Sequence, residues 1–385
     1  MQPLPRVADV VVIERVARLW WRPLLPFAFA ALTGGAQAAV LPDDRADLMY
    51  HLYDGGGVTV QGPALLVRKR VDDSVSLSGH YYMDMVSGAS IDVMTTASPY
   101  RDTRNEYGLG VDYLFGKSLM SATFTSSEES DYRSDTYSLG VSHDLFGGLT
   151  TLSMGYGQGH DTILKRGDAA FLRSADRYNF RLGVTQILTR TSLIGVAYEG
   201  ITDNGYLSNP YRVARWGGGA TAPENYPTTR DSQAIAIRYL YGFSRNNQPV
   251  HRSYKFEYRY AQDTWGIHSH TTSVAMQQQF GQKWLGEFHI RYYRQNAASF
   301  YNNDFPVLMT YMARDKELST FSDYSLGVKF SWAFADRRLW FFSRASLNFA
   351  YDYIKFIYDD FTDVRNGQLY SFGANVGQVF ISGWY

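Results

Sequence analysis

The chain of 385 residues contains no cysteine and carries no excess charge of either sign. Without cysteine there is no disulfide, no thiolate metal site and no attached haem, which would need a Cys-x-x-Cys-His motif. The 37 basic and 37 acidic side chains balance to a formal net charge of zero, so there is no broad basic surface for nucleic acid. The sequence therefore predicts no cofactor. If the protein takes part in electron transfer, a partner would have to supply the electron carrier.

Long apolar runs are also missing. The run Leu24–Leu32 is too short to cross a bilayer as a helix, and no other segment approaches a transmembrane helix. Four arginines between residues 6 and 22 precede this run, and the small-x-small sequence Ala36-Gln37-Ala38 follows it. This is the pattern of a cleaved export signal. We predict a signal peptide at 1–38 and one mature domain at 39–385, with an N-terminal membrane anchor as the alternative.

Two-residue alternation is what the chain has in abundance. From Tyr254 to Tyr260 aromatic and ionic residues alternate, so a strand here has one aromatic and one ionic face. Similar alternation recurs at 232–243, 323–332 and 339–352, and the 30 tyrosines and 8 tryptophans suit a membrane–water boundary. So many long two-faced strands favour an all-β fold, a transmembrane antiparallel up-and-down β-barrel with hydrocarbon outside and water inside.

The connections between candidate strands favour a count of sixteen. From the second strand onward short turns alternate with longer loops, as in barrels with tight periplasmic turns and longer outer loops. Counting 46–53 as the first strand places both termini on the periplasmic side, with fourteen or eighteen strands as the alternatives. The candidate strands are 46–53, 58–69, 74–87, 104–115, 118–126, 132–145, 149–158, 175–189, 191–202, 230–244, 249–263, 268–280, 283–297, 318–335, 338–354 and 369–385.

Four segments between residues 53 and 132 carry a family resemblance: Tyr53–Val58, Gly62–Lys69, Ser90–Tyr100 and Ser127–Tyr132. They resemble an uncharacterised family of bacterial outer-membrane barrels that is classified as a domain of unknown function. The resemblance extends over most of the mature chain. It implies a barrel in the outer membrane of a Gram-negative bacterium and hints at a redox function shared with a periplasmic partner. It supplies no reaction and no ligand.

Charged residues on the predicted inner face are the candidate pore lining. Three on one strand should share a wall with three that lie two strands away, and both signs occur, so strong ion selectivity is not expected. The alternative is a paired network that fills and rigidifies the interior. The ten candidates are Lys255, Glu257, Arg259, Glu287, His289, Arg291, Arg238, Asp323, Lys329 and Arg344, and Arg177 and Arg181 line a further strand.

Two patterns raise the question of a metal site. Carboxylates cluster near the predicted outer loops, where calcium or magnesium could bind, but a solvated acidic loop is the expectation. His268 and His270 share one strand face with Asp263 nearby, a spacing compatible with a divalent metal, although histidines at a strand end are more often incidental. No metal site is therefore predicted. The loop carboxylates are Glu128, Glu129, Asp131, Asp84 and Asp92.

The sequence predicts a porin-like outer-membrane channel for small solutes or ions and no enzyme. One alternative is a plugged barrel that scaffolds a periplasmic or surface partner. A weaker alternative is an outer-membrane hydrolase. The position of His143 argues against it, because this residue lies toward the periplasmic end of its strand rather than at the outer rim. The expected partners are outer-membrane lipid, lipopolysaccharide and the barrel-assembly machinery, which commonly recognises a terminal strand with an aromatic end, here Trp384-Tyr385.

Overall fold

Alternating side chains place almost all of the regular structure in strands. The structure is a computed structural model that describes residues 39–88, 100–243, 251–335 and 342–385. The predicted signal peptide, Asp92 and the predicted turns at 245–248 and 336–337 lie outside the described residues. Within the described ranges, no helix is long and apolar enough to cross a membrane.

Sixteen antiparallel strands close into one barrel, which confirms the predicted fold and strand count. The barrel strands are β1 (Arg45–Gly55), β2 (Val58–Arg70), β3 (Val75–Gly88), β4 (Tyr100–Phe115), β5 (Ser118–Glu128), β6 (Tyr132–Leu145), β7 (Thr150–Leu164), β8 (Leu172–Thr189), β9 (Ser192–Gly205), β12 (Thr229–Phe243), β13 (Arg252–Asp263), β14 (His268–Phe280), β15 (Trp284–Gln295), β16 (Phe321–Ala335), β17 (Arg344–Thr362) and β18 (Leu369–Trp384). A separate two-stranded hairpin consists of β10 (Val213–Trp216) and β11 (Ala220–Pro223).

The barrel closes where β1 pairs with β18, so both ends of the described chain meet at one rim. We call this rim the short-turn end, because it also carries the turns at 71–74, 116–117 and 190–191. The opposite rim, the long-loop end, carries the connections 206–228 and 296–320. At this rim a two-residue turn joins β1 to β2 through Gly56 and Gly57, whose φ angles of 61° and 85° are those that glycine adopts without strain.

The outer face of the barrel is apolar. Leu109, Leu139 and Phe256 are 70%, 62% and 46% exposed, and similar side chains face outward from most of the other strands. An exposed apolar belt of this extent is far larger than a water-soluble protein carries, and it matches the hydrocarbon-facing band of a transmembrane barrel. Phe256 and Tyr258 face outward, whereas Lys255, Glu257 and Arg259 face inward, as the alternation predicts.

Several strands end at other residues than predicted. β7 continues to Leu164 rather than 158, and β17 continues to Thr362 rather than 354. At the end of β7 the polar residues Gln158 and His160 take outward positions that are apolar earlier in the strand, so the alternation fades although the backbone pairing continues. The hairpin β10–β11 lies inside the predicted loop at 203–229 and was not predicted, since its strands have four residues each.

Candidate functional site

Ion pairs join adjacent strands along one part of the inner wall. Arg177 Nε on β8 donates to Asp203 on β9 at 2.6 Å, and Arg181 Nε donates to Glu199 at 3.0 Å. Arg230 on β12 lies 2.5 Å from Asp263 on β13. A charge taken out of bulk water is costly unless a partner of opposite sign compensates it, and here the next strand supplies one. We call the inner face of β8, β9 and β12–β16 the charged wall.

Most of the ten predicted lining residues lie on this charged wall. Arg238 lies 3.0 Å from Glu257, and Arg291 lies 2.7 Å from Asp323. Arg259 lies 3.5 Å from Glu199. The inward set also contains Lys255, Glu287, His289 and Lys329, and His289 is 3.5 Å from Glu287 and 2.6 Å from Asp352 of β17.

Arg344 is the exception among the ten. It lies at the short-turn end of β17, where its guanidinium carbon is 4.1 Å from the centre of the Trp384 ring. It therefore faces the interior as predicted but belongs to a different surface.

Toward the long-loop end, the inner face of β17, β18, β1 and β2 carries an apolar cluster, which the sequence reasoning missed. Its core side chains pack on one another and are at most 8% exposed. The missed signal is at Tyr353–Tyr358, where both phases of the strand carry large apolar side chains and the alternation breaks down. We call this surface the apolar wall, and its core consists of Tyr53, Val58, Val60, Ile354, Ala374 and Val376.

Two histidine–carboxylate pairs lie on the inner faces of β1, β3 and β4 and were also missed. His51 lies 2.8 Å from Asp84, both side chains are fully buried, and the His51 ring stacks on Tyr82 at 4.7 Å. His80 lies 3.4 Å from Glu106. The prediction that grouped Asp84 with the outer-loop carboxylates was wrong, because the side chain points inward and pairs with His51.

The connections 206–228 and 296–320 pack together at the long-loop end, and we call them the loop cap. Their backbones join where Asn225 and Met312 exchange hydrogen bonds of 3.1 and 3.0 Å. Arg212 pairs with Asp315, and the backbone N–H of Arg314 donates to Glu224 at 2.6 Å. The two connections share an apolar core with part of the β13–β14 turn. This core consists of Tyr226, Trp265, Ile267, Ala298, Phe300, Ala313 and Leu318.

The loop cap is anchored on both sides of the barrel mouth. On one side Tyr211 donates a hydrogen bond to Asp131 and accepts one of 2.8 Å from the backbone of Arg166. Burial and the bond to Asp131 raise the pKa of Tyr211 to about 12. On the other side Asn303 donates to Thr362 at the end of β17 at 2.5 Å. The cap thus links loops that lie far apart around the rim.

The acidic outer loops bring together Asp102, Glu129 and Asp131, whose ligand atoms lie within 4.8 Å of one another. Glu128 is exposed and outside this group. Arg166 lies 3.1 Å from Asp102, and the Tyr211 hydroxyl donates to Asp131. Because neighbouring donors already compensate two of the three carboxylates, this geometry does not need a cation.

The predicted histidine pair is separated from its acidic neighbour. His268 and His270 face outward, and their Nδ1 atoms lie 2.9 and 2.7 Å from the hydroxyls of Tyr260 and Tyr258. Asp263 instead faces inward toward Arg230. The three residues therefore do not form a common ligand set.

A serine–histidine pair lies on the outer face at the short-turn end. Ser118 Oγ is 2.8 Å from His143 Nδ1 across β5 and β6. In the described part of the chain no carboxylate bonds the His143 ring, so the pair lacks the third group that orients the base in a hydrolase.

Comparison with solved structures returns bacterial outer-membrane barrels. A bacterial polysaccharide outer membrane secretin is 8% identical, with 88% of this chain and 97% of that chain covered and a TM-score of 0.49. OccK1 of Pseudomonas aeruginosa is 9% identical, with 90% and 99% covered and a TM-score of 0.43. CdiB from Acinetobacter baumannii is 9% identical, with 88% and 60% covered and a TM-score of 0.49.

Sequence comparison is informative at the level of the family. None of the curated proteins matches the chain. The family described as "Protein of unknown function (DUF3570)" matches residues 90–181 and 172–353, which together are more than half of the chain. The matched region runs from the connection before β4 into β17, and so includes the whole charged wall and the whole loop cap. The chain therefore belongs to the DUF3570 family.

Proposed function

We propose that the chain is an outer-membrane channel of a Gram-negative bacterium that passes small solutes or ions along its charged wall. The observation that carries this proposal is the closed barrel of sixteen strands with ionic side chains on its inner face. A barrel of this size is wide enough to leave an aqueous passage, and charged side chains on an inner wall are favourable where water reaches them. The short-turn end is then periplasmic and the long-loop end extracellular.

The two inner walls divide the lumen. Side chains of the apolar wall pack on one another and occupy their share of the interior, so the passage follows the charged wall. Charges of both signs alternate on that wall, and the ten candidate lining residues other than Arg344 contribute most of them. The loop cap lies over the extracellular mouth and limits the size of the solute that enters.

Liposome swelling tests this function with the purified, folded mature chain. We expect isotonic sugars to enter proteoliposomes at rates that fall with sugar size. Arg212→Ala should raise the size limit, because it removes the partner of Asp315 within the cap. Lys117→Gln, in an exposed periplasmic turn, is the matched control and should leave the rates unchanged. Barrels that are folded, as judged by heat-modifiable mobility, but that admit no sugar and conduct no ions in a planar bilayer would refute the proposal.

The loop cap also favours a second candidate function. Its apolar core and internal ion pairs form a folded surface, which suits a plugged barrel that scaffolds a periplasmic or surface partner. Folded barrels that pass neither sugars nor ions, and still pass none after Arg212→Ala, would favour the scaffold. A hydrolase rests only on the Ser118–His143 contact, and lipid hydrolysis that Ser118→Ala abolishes would be needed to support it.

A further inference from the structure

Three arginines and one tryptophan form a row on the inner face at the short-turn end. In the sheet register Arg45 lies opposite both Arg68 on β2 and Trp384 on β18, and Trp384 lies opposite Arg344 on β17. The guanidinium carbons of Arg45 and Arg344 are 5.2 and 4.1 Å from the centre of the Trp384 ring. We call these four residues the arginine row.

The arginine row faces the lumen. On β18 the side chains of Phe380 and Ser382 are buried inside, whereas Val379 and Ile381 are 46% and 49% exposed outside, so Trp384 continues the inner phase. Its two arginine neighbours contact the same ring and share that phase. On β2 the outward positions Leu65 and Val67 leave Arg68 on the inner face.

Carboxylates compensate the arginine row only in part. Arg45 lies 2.7 Å from Asp47. Arg344 lies 3.8 Å from the carboxylate of Asp43, whose side chain is 72% exposed. Arg68 forms no ion pair within the part of the chain that the structure describes, and Asp112 acts on it only through longer-range attraction. The Nε atoms of Arg68 and Arg344 are buried and find no hydrogen-bond partner among the described residues.

This arrangement differs from that of the charged wall. There Arg177, Arg181 and Arg238 each lie within 3.0 Å of a carboxylate on the next strand. In the arginine row two like charges, Arg45 and Arg68, lie directly opposite each other, which destabilises a sheet. Buried N–H groups without an acceptor add to that cost. A bound anion would remove both penalties.

We propose that the arginine row binds the oxyanion group, carboxylate or phosphate, of a small solute at the periplasmic opening. The planar guanidinium fork matches a carboxylate or phosphate with two parallel hydrogen bonds. The Trp384 ring contacts two of the guanidinium groups by cation–π interaction, which does not use their N–H donors. The inference rests on the proposed channel and deepens it, because it names small oxyanions as the solute class.

Calorimetric titration of the folded mature chain with inorganic phosphate, and separately with benzoate, tests the site. We expect saturable binding of both anions. Arg68→Gln and Arg344→Gln should each weaken it about tenfold or more, because each removes charge-assisted hydrogen bonds. Arg344→Lys should weaken it less than Arg344→Gln does, since it keeps the charge and loses only the fork. Lys117→Gln removes a positive charge from another periplasmic turn and should bind as the wild type does.

The outcomes separate the site from the channel. Absence of saturable binding to the wild-type protein overturns the inference, whether or not the variants fold. Binding that nanodiscs of phosphatidylglycerol abolish and nanodiscs of phosphatidylcholine preserve also overturns it, because the row would then hold a lipid headgroup. Binding together with a silent planar bilayer supports the oxyanion site and refutes the channel. Binding together with a phosphate block of the chloride current, lost in Arg68→Gln, supports both.

Discussion

The charged wall and the apolar wall have the same backbone architecture and opposite inner faces. On the charged wall an inward arginine finds a carboxylate on the neighbouring strand, as Arg177 does with Asp203 at 2.6 Å. On the apolar wall the inward side chains contact one another, as Phe356 and Phe372 do with ring centres 4.6 Å apart. The lumen is therefore not uniformly polar, and the free-energy cost of an inward charge depends on which side chain lies opposite it.

The energetics of the two walls differ accordingly. Burying a large apolar side chain contributes about 1.5–3 kcal/mol, so a wall such as that around Val60 and Val376 stabilises the barrel by burial alone. An ion pair on the charged wall mainly offsets the desolvation of its own members. We therefore assign stability chiefly to the apolar wall, whereas the proposed function uses the charged wall for solute passage.

The largest expected difference in the free energy of unfolding is between two variants that each place an aspartate on one of the walls. Val60→Asp puts a carboxylate among apolar neighbours and should cost about 3–5 kcal/mol, the range for an uncompensated buried charge. Ala236→Asp puts the same group directly opposite Arg259 and should be tolerated. Urea unfolding of barrels folded in lipid vesicles measures both. Equal destabilisation would mean that the two walls are not different environments.

The next largest effect on stability is expected from a substitution on the outer face. Phe256→Arg places a charge in hydrocarbon and should cost about 2–4 kcal/mol at mid-bilayer, whereas Lys255→Ala on the inner face should change stability little. Assembly yield, read from heat-modifiable mobility, compares the two variants. If Lys255→Ala impaired assembly as strongly, the inner and outer faces of β13 would be assigned the wrong way round.

Breaking one ion pair on the charged wall should have an intermediate effect. Arg177→Gln leaves Asp203 without its shortest partner and should cost about 1.5–3 kcal/mol, the range for a hydrogen bond to a charged group. The double variant Arg177→Gln with Asp203→Asn should recover most of that loss in the same unfolding assay. No recovery would show that the two residues act independently and that pairing does not explain the charged wall.

The smallest effect concerns the loop cap. Tyr211→Phe removes the hydrogen bond to Asp131 and should loosen the cap by about 0.5–1.5 kcal/mol. In a chain with a single cysteine introduced at Ala220, the anisotropy of an attached fluorophore should therefore be lower in Tyr211→Phe than in the wild type.

The same hydrogen bond makes the loop cap sensitive to high pH. The pKa of Tyr211 is raised from 10.0 to about 12 by burial and by the bond to Asp131. The stabilising contribution is therefore complete below pH 10 and is lost as the pH rises toward about 12, where wild type should match Tyr211→Phe.

The sequence predicted the barrel well because alternation and turn spacing are local properties. Tyr254–Tyr260 shows its two faces directly, and the sixteen strands follow from the parity of the connections. The site was only partly predictable. Which inward arginine pairs with which carboxylate depends on register, as Arg238 with Glu257 illustrates, and one sequence does not fix register. The apolar wall was missed because Tyr353–Tyr358 is apolar in both phases.

The loop cap lay beyond prediction for a different reason. Arg212 and Asp315 are far apart in the sequence and meet only because two irregular connections cross the same mouth. Irregular segments have no repeating pattern from which a contact can be inferred. The arginine row was partly visible, since Arg344 was predicted to face the lumen, but its neighbours Arg45 and Arg68 join it only through barrel closure.

Cysteine labelling in a planar bilayer tests the central claim, passage along the charged wall, most directly. The natural chain has no cysteine, so one introduced thiol reports one position. Ser273→Cys lies on the charged wall between Glu257 and Arg291, and Ala374→Cys lies within the apolar wall. We expect discrete conductance steps that a positively charged methanethiosulfonate reagent reduces in Ser273→Cys and leaves unchanged in Ala374→Cys. A folded but silent barrel, or equal block at both positions, would contradict it.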